Sequence, residues 1–283
     1  MAGIMAYGAY VPKLRLERRF FAEAWGIPAA PGEVAVGNFD EDSITMAVEA
    51  GRDCIQDDPQ GVGGLYFAST SAPYREKSCS TLVASVLDLD RGSLTADFGG
   101  SLSSGMAAVV SAVGAVDSGA AGSVRVTPAE CRVPEPKTAD EQTLGDGAGA
   151  LLIGREPSIA EIKGTFRLYD EILGSWRTDE DRTVREYNPR WYAARGYIPN
   201  MVSAISSALE RFSAPPEEIS RFIYAAPDFR SHGAVAKAIG IKDAERVQDA
   251  LFALVGGCGC AQPLMMLAAA LEQASPGDRL LVA

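Results

Sequence analysis

The sequence predicts an α/β layered fold built from two similar halves. Three observations carry this. Strand-like and helix-like segments alternate along the chain, with Gly and Ala marking the joints. The same strand, Gly-Gly, small-residue turn and apolar helix occur twice, at 93–129 and 249–283. The length of 283 residues and the 47% hydrophobic content suit a large buried core in one or two domains.

In chain order, "GGLYFASTS" (63–71) reads as a buried strand and "STLVASVLDL" (80–89) as the helix after it. "SLTADF" (93–98) is the next strand, followed by "GGSLSSGMAAVVSAVGAV" (99–116), a turn opening a long apolar helix. "SVRVTPA" (123–129) and the glycine-rich "GDGAGALLIG" (145–154) are strands, and "IAEIKGTFRLYDEI" (159–172) is expected to be another. In the second half, "ISRFIYAAPDF" (219–229) matches "VGGLYFASTSA" (62–72) in position. "DALFALVGGCGCAQPLMMLAAALEQASPGDRLLVA" matches the segment around the first Gly-Gly, so "DALFAL" is expected to be a strand. The halves divide at 1–160 and 161–283. The first continues for about twenty-five residues beyond the point matching the second half's end, so the second half is expected to lack its final strands, the chain being a fragment or its last sheet being completed by a partner. Between the halves, "SWRTDEDRTVREYNPRWYAARGY" (175–197) fits equally a solvated connection or a lid carrying Trp176, Tyr187, Trp191 and Tyr192.

The formal charge of −11 excludes nucleic acid or an anionic membrane as main partner, but not a phosphorylated small molecule. No apolar run reaches the roughly 18–20 residues of a membrane span. Five cysteines (54, 79, 131, 258, 260) form no even framework and the single His232 makes a histidine-bearing zinc site improbable, so no metal is expected and the protein is expected to be reduced and cytoplasmic.

Duplicated halves, the glycine-rich elbow at 97–106 and "EQTLGDGAGALLIG" (141–154) resemble the thiolase superfamily. Within it, "FDEDSITMAVEAGRD" (39–53), "STSAPYREKS" (69–78) and "DEILGSWRTDEDRTVRE" (170–186) resemble the 3-hydroxy-3-methylglutaryl-CoA synthase branch, with ketoacyl synthase III relatives next. The resemblance implies a five-layered αβαβα fold, the strand at 93–98 on the edge where two subunits pair, and condensation of acyl-CoA thioesters. No covalently bound cofactor is implied; a coenzyme A thioester is the implied ligand. The family uses an elbow cysteine, a histidine and a glutamate. These positions fall at Gly100, Ala225 and Thr70, and the family's "GNTYSGASP"-like loop is "VGGCGCAQP" (255–263), without the Asn. The resemblance therefore implies a subunit lacking its own catalytic set, paired with a thiolase-fold catalytic subunit and with a small OB-fold or zinc-ribbon chain as a further component. A pure scaffold binding no coenzyme A is the reading from another class.

Substitutes for the missing groups are few. Ser101, Ser103 and Ser104 could be acylated only with an adjacent base, and read better as caps of the following helix. Cys258 and Cys260, in the second elbow, are either a displaced nucleophile or small hydrophobes filling a tight turn. Cys54, Cys79 and Cys131 read as packing residues. Asp146 reads as an organiser of nearby backbone, Glu76 lies six residues past Thr70, and Asp179–Arg182 reads as solvated surface. Arg230 falls near the place where the branch holds a lysine against the coenzyme A phosphates, and Lys237 could assist it.

Overall fold

The computed structural model describes residues 1–54, 61–155 and 157–283. The first half comprises β1 (Gly3–Tyr10), β2 (Leu14–Glu17), α1 (Arg19–Trp25), β3 (Glu33–Val36), α2 (Ser43–Asp53), β4 (Gly64–Ala68), α3 (Cys79–Val86), β5 (Leu94–Phe98), α4 (Ser104–Ser118), β6 (Ser123–Glu130), α5 (Asp140–Thr143), β7 (Gly147–Gly154) and β8 (Ala160–Glu161). Then follow β9 (Ser175–Trp176), β10 (Arg185–Glu186), α6 (Pro189–Tyr192), α7 (Ile198–Arg211), β11 (Arg221–Ile223), α8 (Phe229–Ala238), α9 (Gln262–Leu271) and β12 (Leu280–Val282).

The main sheet has the order β5-β4-β6-β7-β1-β8. Strands β5, β4 and β6 run parallel, while β7 is antiparallel to both β6 and β1. Alternation along each strand sets the layers. On β4, Leu65 and Phe67 enter a core with Met46, Ala47 and Val83 of α2 and α3. Tyr66 and Ala68 point the other way, to Ala108, Ala112, Leu264 and Leu267 of α4 and α9.

The second sheet follows the same rule. Strands β11 and β12 pair in parallel, Arg221 with Leu280 and Ile223 with Val282, and Val247 bridges to Phe222. Ile223 and Val282 face the α4/α9 layer. Phe222 and Leu281 face the opposite way, onto Ile205 of α7 and Val235 of α8. Helices, sheet, helices, sheet, helices: the expected five layers are present. Burying one such Phe or Leu contributes roughly 1.5–3 kcal/mol, so each interface between layers is worth many times a surface contact.

Helix starts are fixed by side chains that the hydrophobic pattern alone does not reveal. Asp42 accepts from the N–H groups of Ile44 and Thr45, both at 2.8 Å, and Thr45 returns the bond to Asp42 N, a capping box for α2. Asp97, inside β5, accepts from Cys79 N at 3.0 Å and Ser80 N at 2.6 Å, tying the edge strand to the start of α3.

Two expected strands are not formed. The strand at 159–172 is reduced to Ala160–Glu161, which pair with Ile4 and Gly3 at the beginning of β1. After the contact from Ile162 N to Ala2 O the segment runs past its partner and the ladder ends. "DALFAL" is a turn instead: Leu251 sits at φ 62° and its N–H bonds Asp249 Oδ1 at 2.6 Å. A leucine in the left-handed region cannot continue a strand.

The helices after the two Gly-Gly pairs lie side by side in the central layer, and glycine lets the surrounding backbone close on the second elbow. A Cβ on Gly105 would stand 2.2 Å from the carbonyl oxygen of Cys260, and one on Gly145 would stand 1.9 Å from that of Val255. These neighbours are backbone atoms, which cannot rotate away. Gly145→Ala and Gly105→Ala should each lower stability by about 1–3 kcal/mol or more, read as the shift of a urea unfolding midpoint. Wild-type midpoints in both would show that the contact is looser than described.

Candidate active site

The parallel strands deliver their C-terminal ends to one place. β4 ends in Ser69, Thr70 and Ser71, β5 ends in the first elbow at Gly99–Ser103, and β6 ends in Glu130. The second elbow, 256–261, meets them from α9.

Glu130 is the centre of this convergence. It is 0% exposed, yet its carboxylate is well supplied with donors. Thr70 donates its N–H at 3.1 Å and its hydroxyl at 3.0 Å from both oxygens. The Ser71 hydroxyl donates at 2.8 Å and the Cys260 N–H at 3.4 Å. Ser71 is itself held, because its oxygen accepts from Cys131 N at 2.8 Å and its N–H bonds Ser69 Oγ at 3.0 Å. The Thr70 carbonyl accepts from Arg177 at 2.8 Å, which brings the connecting segment over this loop. Arg132 donates to Gly257 O at 3.3 Å, beside the same elbow.

The elbow serines arrange one another. Ser101 Oγ accepts from Ser103 N at 3.2 Å and lies 3.0 Å from Ser103 Oγ. Ser103 is the N-cap of α4 but its side chain caps nothing. Ser104 is buried and its hydroxyl has no hydrogen-bond partner among the described residues. Gly100, at φ 76°, is exposed, and a Cβ there would meet nothing within 4 Å. No imidazole serves these hydroxyls. His232 lies on the first turns of α8, stacked on Tyr224 at 4.5 Å, with its Nε2 unpartnered among the described residues.

Cys258 and Cys260 are both 0% exposed. Burial pushes both thiols up, with Asp146 adding to the effect at Cys258 and Glu130 at Cys260. The Cys260 thiol donates to Ala68 O at 3.5 Å. A thiol held protonated in a closed pocket is a poor nucleophile, and the geometry favours the packing role. Burial and the neighbouring Asp146 push the Cys131 thiol up to about 12. Asp146 accepts from Gly37 N at 2.7 Å, the backbone-organising part expected of it, and its own burial raises its pKa.

Ala225 lies two residues past β11, and its carbonyl accepts from Tyr197 Oη at 2.6 Å. The connecting segment thus divides. Tyr197 and Tyr192 are half-buried toward the second half, whereas Tyr187 is 70% exposed, edge-on to Trp191 at 6.5 Å. Arg230 and Lys237 are both exposed on α8. Seven residues apart, they share one helix face to within about 20°.

Comparison with known proteins decides the family. No protein-family model matches the chain. The hydroxymethylglutaryl-CoA synthase of Methanosarcina mazei is 32% identical over 290 residues, covering 98% of this chain and 83% of the relative. The chain belongs to the hydroxymethylglutaryl-CoA synthase family. A second member, from Thermococcus onnurineus, is 28% identical over 285 residues, covering 99% of this chain and 81% of its own length. Among solved structures, the 3-oxoacyl-[acyl-carrier-protein] synthase III of Aquifex aeolicus superposes with a TM-score of 0.85 at 23% identity, covering 99% of this chain and 94% of that one. An HMG-CoA synthase described as complexed with CoA gives 0.86 at 18% identity, with 97% and 75% covered. The fold is thiolase-like, and the family is one of condensing enzymes.

Within this family site, the sequence singled out Thr70, Gly100, Ser101 and Cys260, which the structure gathers around the ends of β4, β5 and β6. It missed Glu130, Arg132 and Ser71. The signal for Glu130 was present: "SVRVTPAE" is buried along its whole length, and a charged residue ending such a strand is rarely without partners.

Two outcomes follow. Thiol labelling of the native protein should spare Cys258 and Cys260 and modify both in denaturant; fast native labelling of either would restore the nucleophile reading. Burial also holds the His232 pKa below its ordinary value, against a smaller opposing pull from Asp249. The neutral ring is the folded form, so its stabilisation is complete above about pH 6.5 and is lost as pH falls toward the lower folded-state pKa. His232→Gln should flatten the loss of stability as pH falls below about 6.5, measured by urea titrations from that pH downward. An unchanged slope would place the acid sensitivity elsewhere.

Proposed function

We propose that this chain is an acyl-CoA-binding subunit of a condensing or thiolytic complex, and that it does not itself carry the acyl group. One observation carries the reading. The elbow that should present the nucleophile presents Gly100, without a side chain, while the neighbouring thiols of Cys258 and Cys260 are sealed and held protonated. The positions matched to the family's histidine and glutamate hold Ala225 and Thr70. Acyl transfer then falls to a partner with an elbow cysteine.

The open edge of the main sheet supports such a partner. Among the described residues β5 pairs only with β4, and Leu94 on it is 40% exposed. An edge with unpaired backbone and apolar side chains favours association. The proposed occupant is a thiolase-fold catalytic subunit, with a small OB-fold or zinc-ribbon chain as a further component. Coenzyme A is the ligand suggested by the relatives' names and by the CoA-complexed synthase. Arg230 and Lys237, on one exposed face of α8, are proposed to meet its phosphates, since guanidinium and ammonium groups suit that charge. All five cysteines are unpaired, in keeping with a reducing cytoplasm.

The purified chain should show no condensation of acetyl-CoA with acetoacetyl-CoA, and Gly100→Cys alone should not create it. Turnover by the single protein, abolished by Cys258→Ala or Cys260→Ala, would overturn the reading and install the displaced nucleophile. Co-expression with genomic neighbours, followed by light scattering, should give a heteromer with an interface above about 2,000 Å² in total. A well-behaved monomer under both conditions would remove the partner.

A further inference from the structure

The second sheet repeats the first except at one position. In the first sheet β7 stands between β6 and β1, antiparallel to both. In the second half β12 is the counterpart of β6, and segment 163–174 is the counterpart of β1. The two counterparts are held alike. β1 is tied to α2, with Ala9 N donating to Asp53 Oδ2 at 3.0 Å, and 163–174 is tied to α7, with Asn200 Nδ2 donating to Asp170 Oδ2 at 2.8 Å. A Cβ on Gly164 would stand 2.3 Å from Phe212 Cε1, just past α7, and one on Gly196, just before it, 2.7 Å from Ile172 Cδ1. Among the described residues no strand pairs with the outer edge of β12 or with 163–174.

Four surfaces around that position are unfinished. On β12, Arg279 O accepts from Ser220 N and Ala283 N donates to Ile223 O, both at 2.8 Å. Alternation turns the backbone groups of Leu280 and Val282 to the other edge, where they have no partner among the described residues. Residues 163–174 make no backbone hydrogen bond among the described residues, and Leu168, Tyr169 and Leu173 within them are exposed. The apolar stripe of α7, from Met201 and Val202 through Ile205 to Leu209, is buried at Ile205 alone, whereas α2 buries seven of its eleven residues. In the central layer α4 exposes Ala107, Ser111 and Gly114, while α9, against which β7 lies, exposes none.

We infer that this position is a strand acceptor, filled by one extended segment of a second polypeptide running antiparallel to β12. Its counterpart sets its chemistry. All eight residues of β7 are buried, and all are Gly, Ala, Leu or Ile. The occupant is therefore uncharged and apolar, with small residues among its side chains. Backbone bonds to Leu280 and Val282 supply its affinity, and alternate side chains meet α7 and the central layer. The two synthase relatives are matched over 83% and 81% of their lengths, so each carries chain outside the part shared with this molecule, enough for such a strand. The inference does not depend on coenzyme A binding.

The test is hydrogen exchange of the full chain, read by mass spectrometry, with and without a synthetic peptide of residues 144–154, the chain's own β7 with its lead-in. At ten times its dissociation constant the peptide is expected to slow exchange about tenfold at Leu280, at Val282 and across 163–174. Val282→Pro removes an N–H that faces the acceptor and none that faces β11. It is expected to keep the wild-type circular dichroism and to lose the protection. If Val282→Pro fails to fold, the peptide N-methylated at alternate residues decides on the wild-type chain, where it is expected to protect nothing. A peptide that does not bind, or that leaves those amides unprotected, would overturn the inference. Protection confined to Leu94–Phe98 would also overturn it, making the edge of the first sheet the acceptor. Protection that survives in folded Val282→Pro, or that the methylated peptide matches, would overturn it as well, since strand pairing would then not be the mode of binding.

Discussion

The structure depends on one close approach: bare backbone of the first half laid against the second elbow. Gly145 just before β7 and Gly147 and Gly149 on it present bare backbone, and a Cβ on them would meet Val255 O at 1.9 Å, the Met265 Cε at 2.8 Å and the Leu264 Cβ at 2.8 Å. Gly105 does the same from α4 against Cys260 O. Four positions without side chains let one sheet and one helix touch the second Gly-Gly turn directly. The "GDGAG" run is therefore an interface between halves as much as a strand. It sets how far the ends of β4 and β6 stand from the second elbow, and so sets the geometry of everything around Glu130.

That dependence explains which parts of the molecule could be read from sequence. The duplication and the alternating pattern on β4, β6 and β11 are statements about periodicity, and they carried the α/β layering; the five-layer order and the edge position of β5 came from the family resemblance. The strand expected at 159–172 failed because pairing needs a partner as well as a pattern, and β8 meets β1 only at Gly3 and Ile4. "DALFAL" failed because Asp249 competes for the backbone, bonding Leu251 N and turning the chain before a ladder can form. The site was legible by position along the strands, through Thr70, Gly100 and Cys260. It was not legible by contact, since the bond from Thr70 to Glu130 spans sixty residues and two strands that neighbour each other only in space.

Burial decides the chemistry more than residue type does. Cysteine is an intrinsically strong nucleophile, yet Cys258 and Cys260 are silenced by complete desolvation and by the carboxylates of Asp146 and Glu130 nearby. Each of these factors opposes forming a thiolate and outweighs the opposite pull of Arg132, and among the described residues no side-chain amine or imidazole bonds either sulfur. The elbow serines have the opposite difficulty. Ser101 and Ser103 are exposed, but they bond each other and have no base. Access and activation are separated in this site, with the exposed groups inert and the polar, donor-rich groups covered.

Glu130 and Thr70 are also coupled in what each permits the other to be. A covered carboxylate is costly unless donors surround it, and Thr70 supplies two of those donors while Ser71 supplies a third. Replacing Thr70 by an acid would remove the hydroxyl donor and set a second carboxylate within about 3–4 Å of the first, where like charges strongly oppose joint ionisation. An acid at position 70 and an acid at position 130 are thus alternatives for one small volume. The chain holds the second arrangement, and the hydroxyl at 70 is what makes it tolerable.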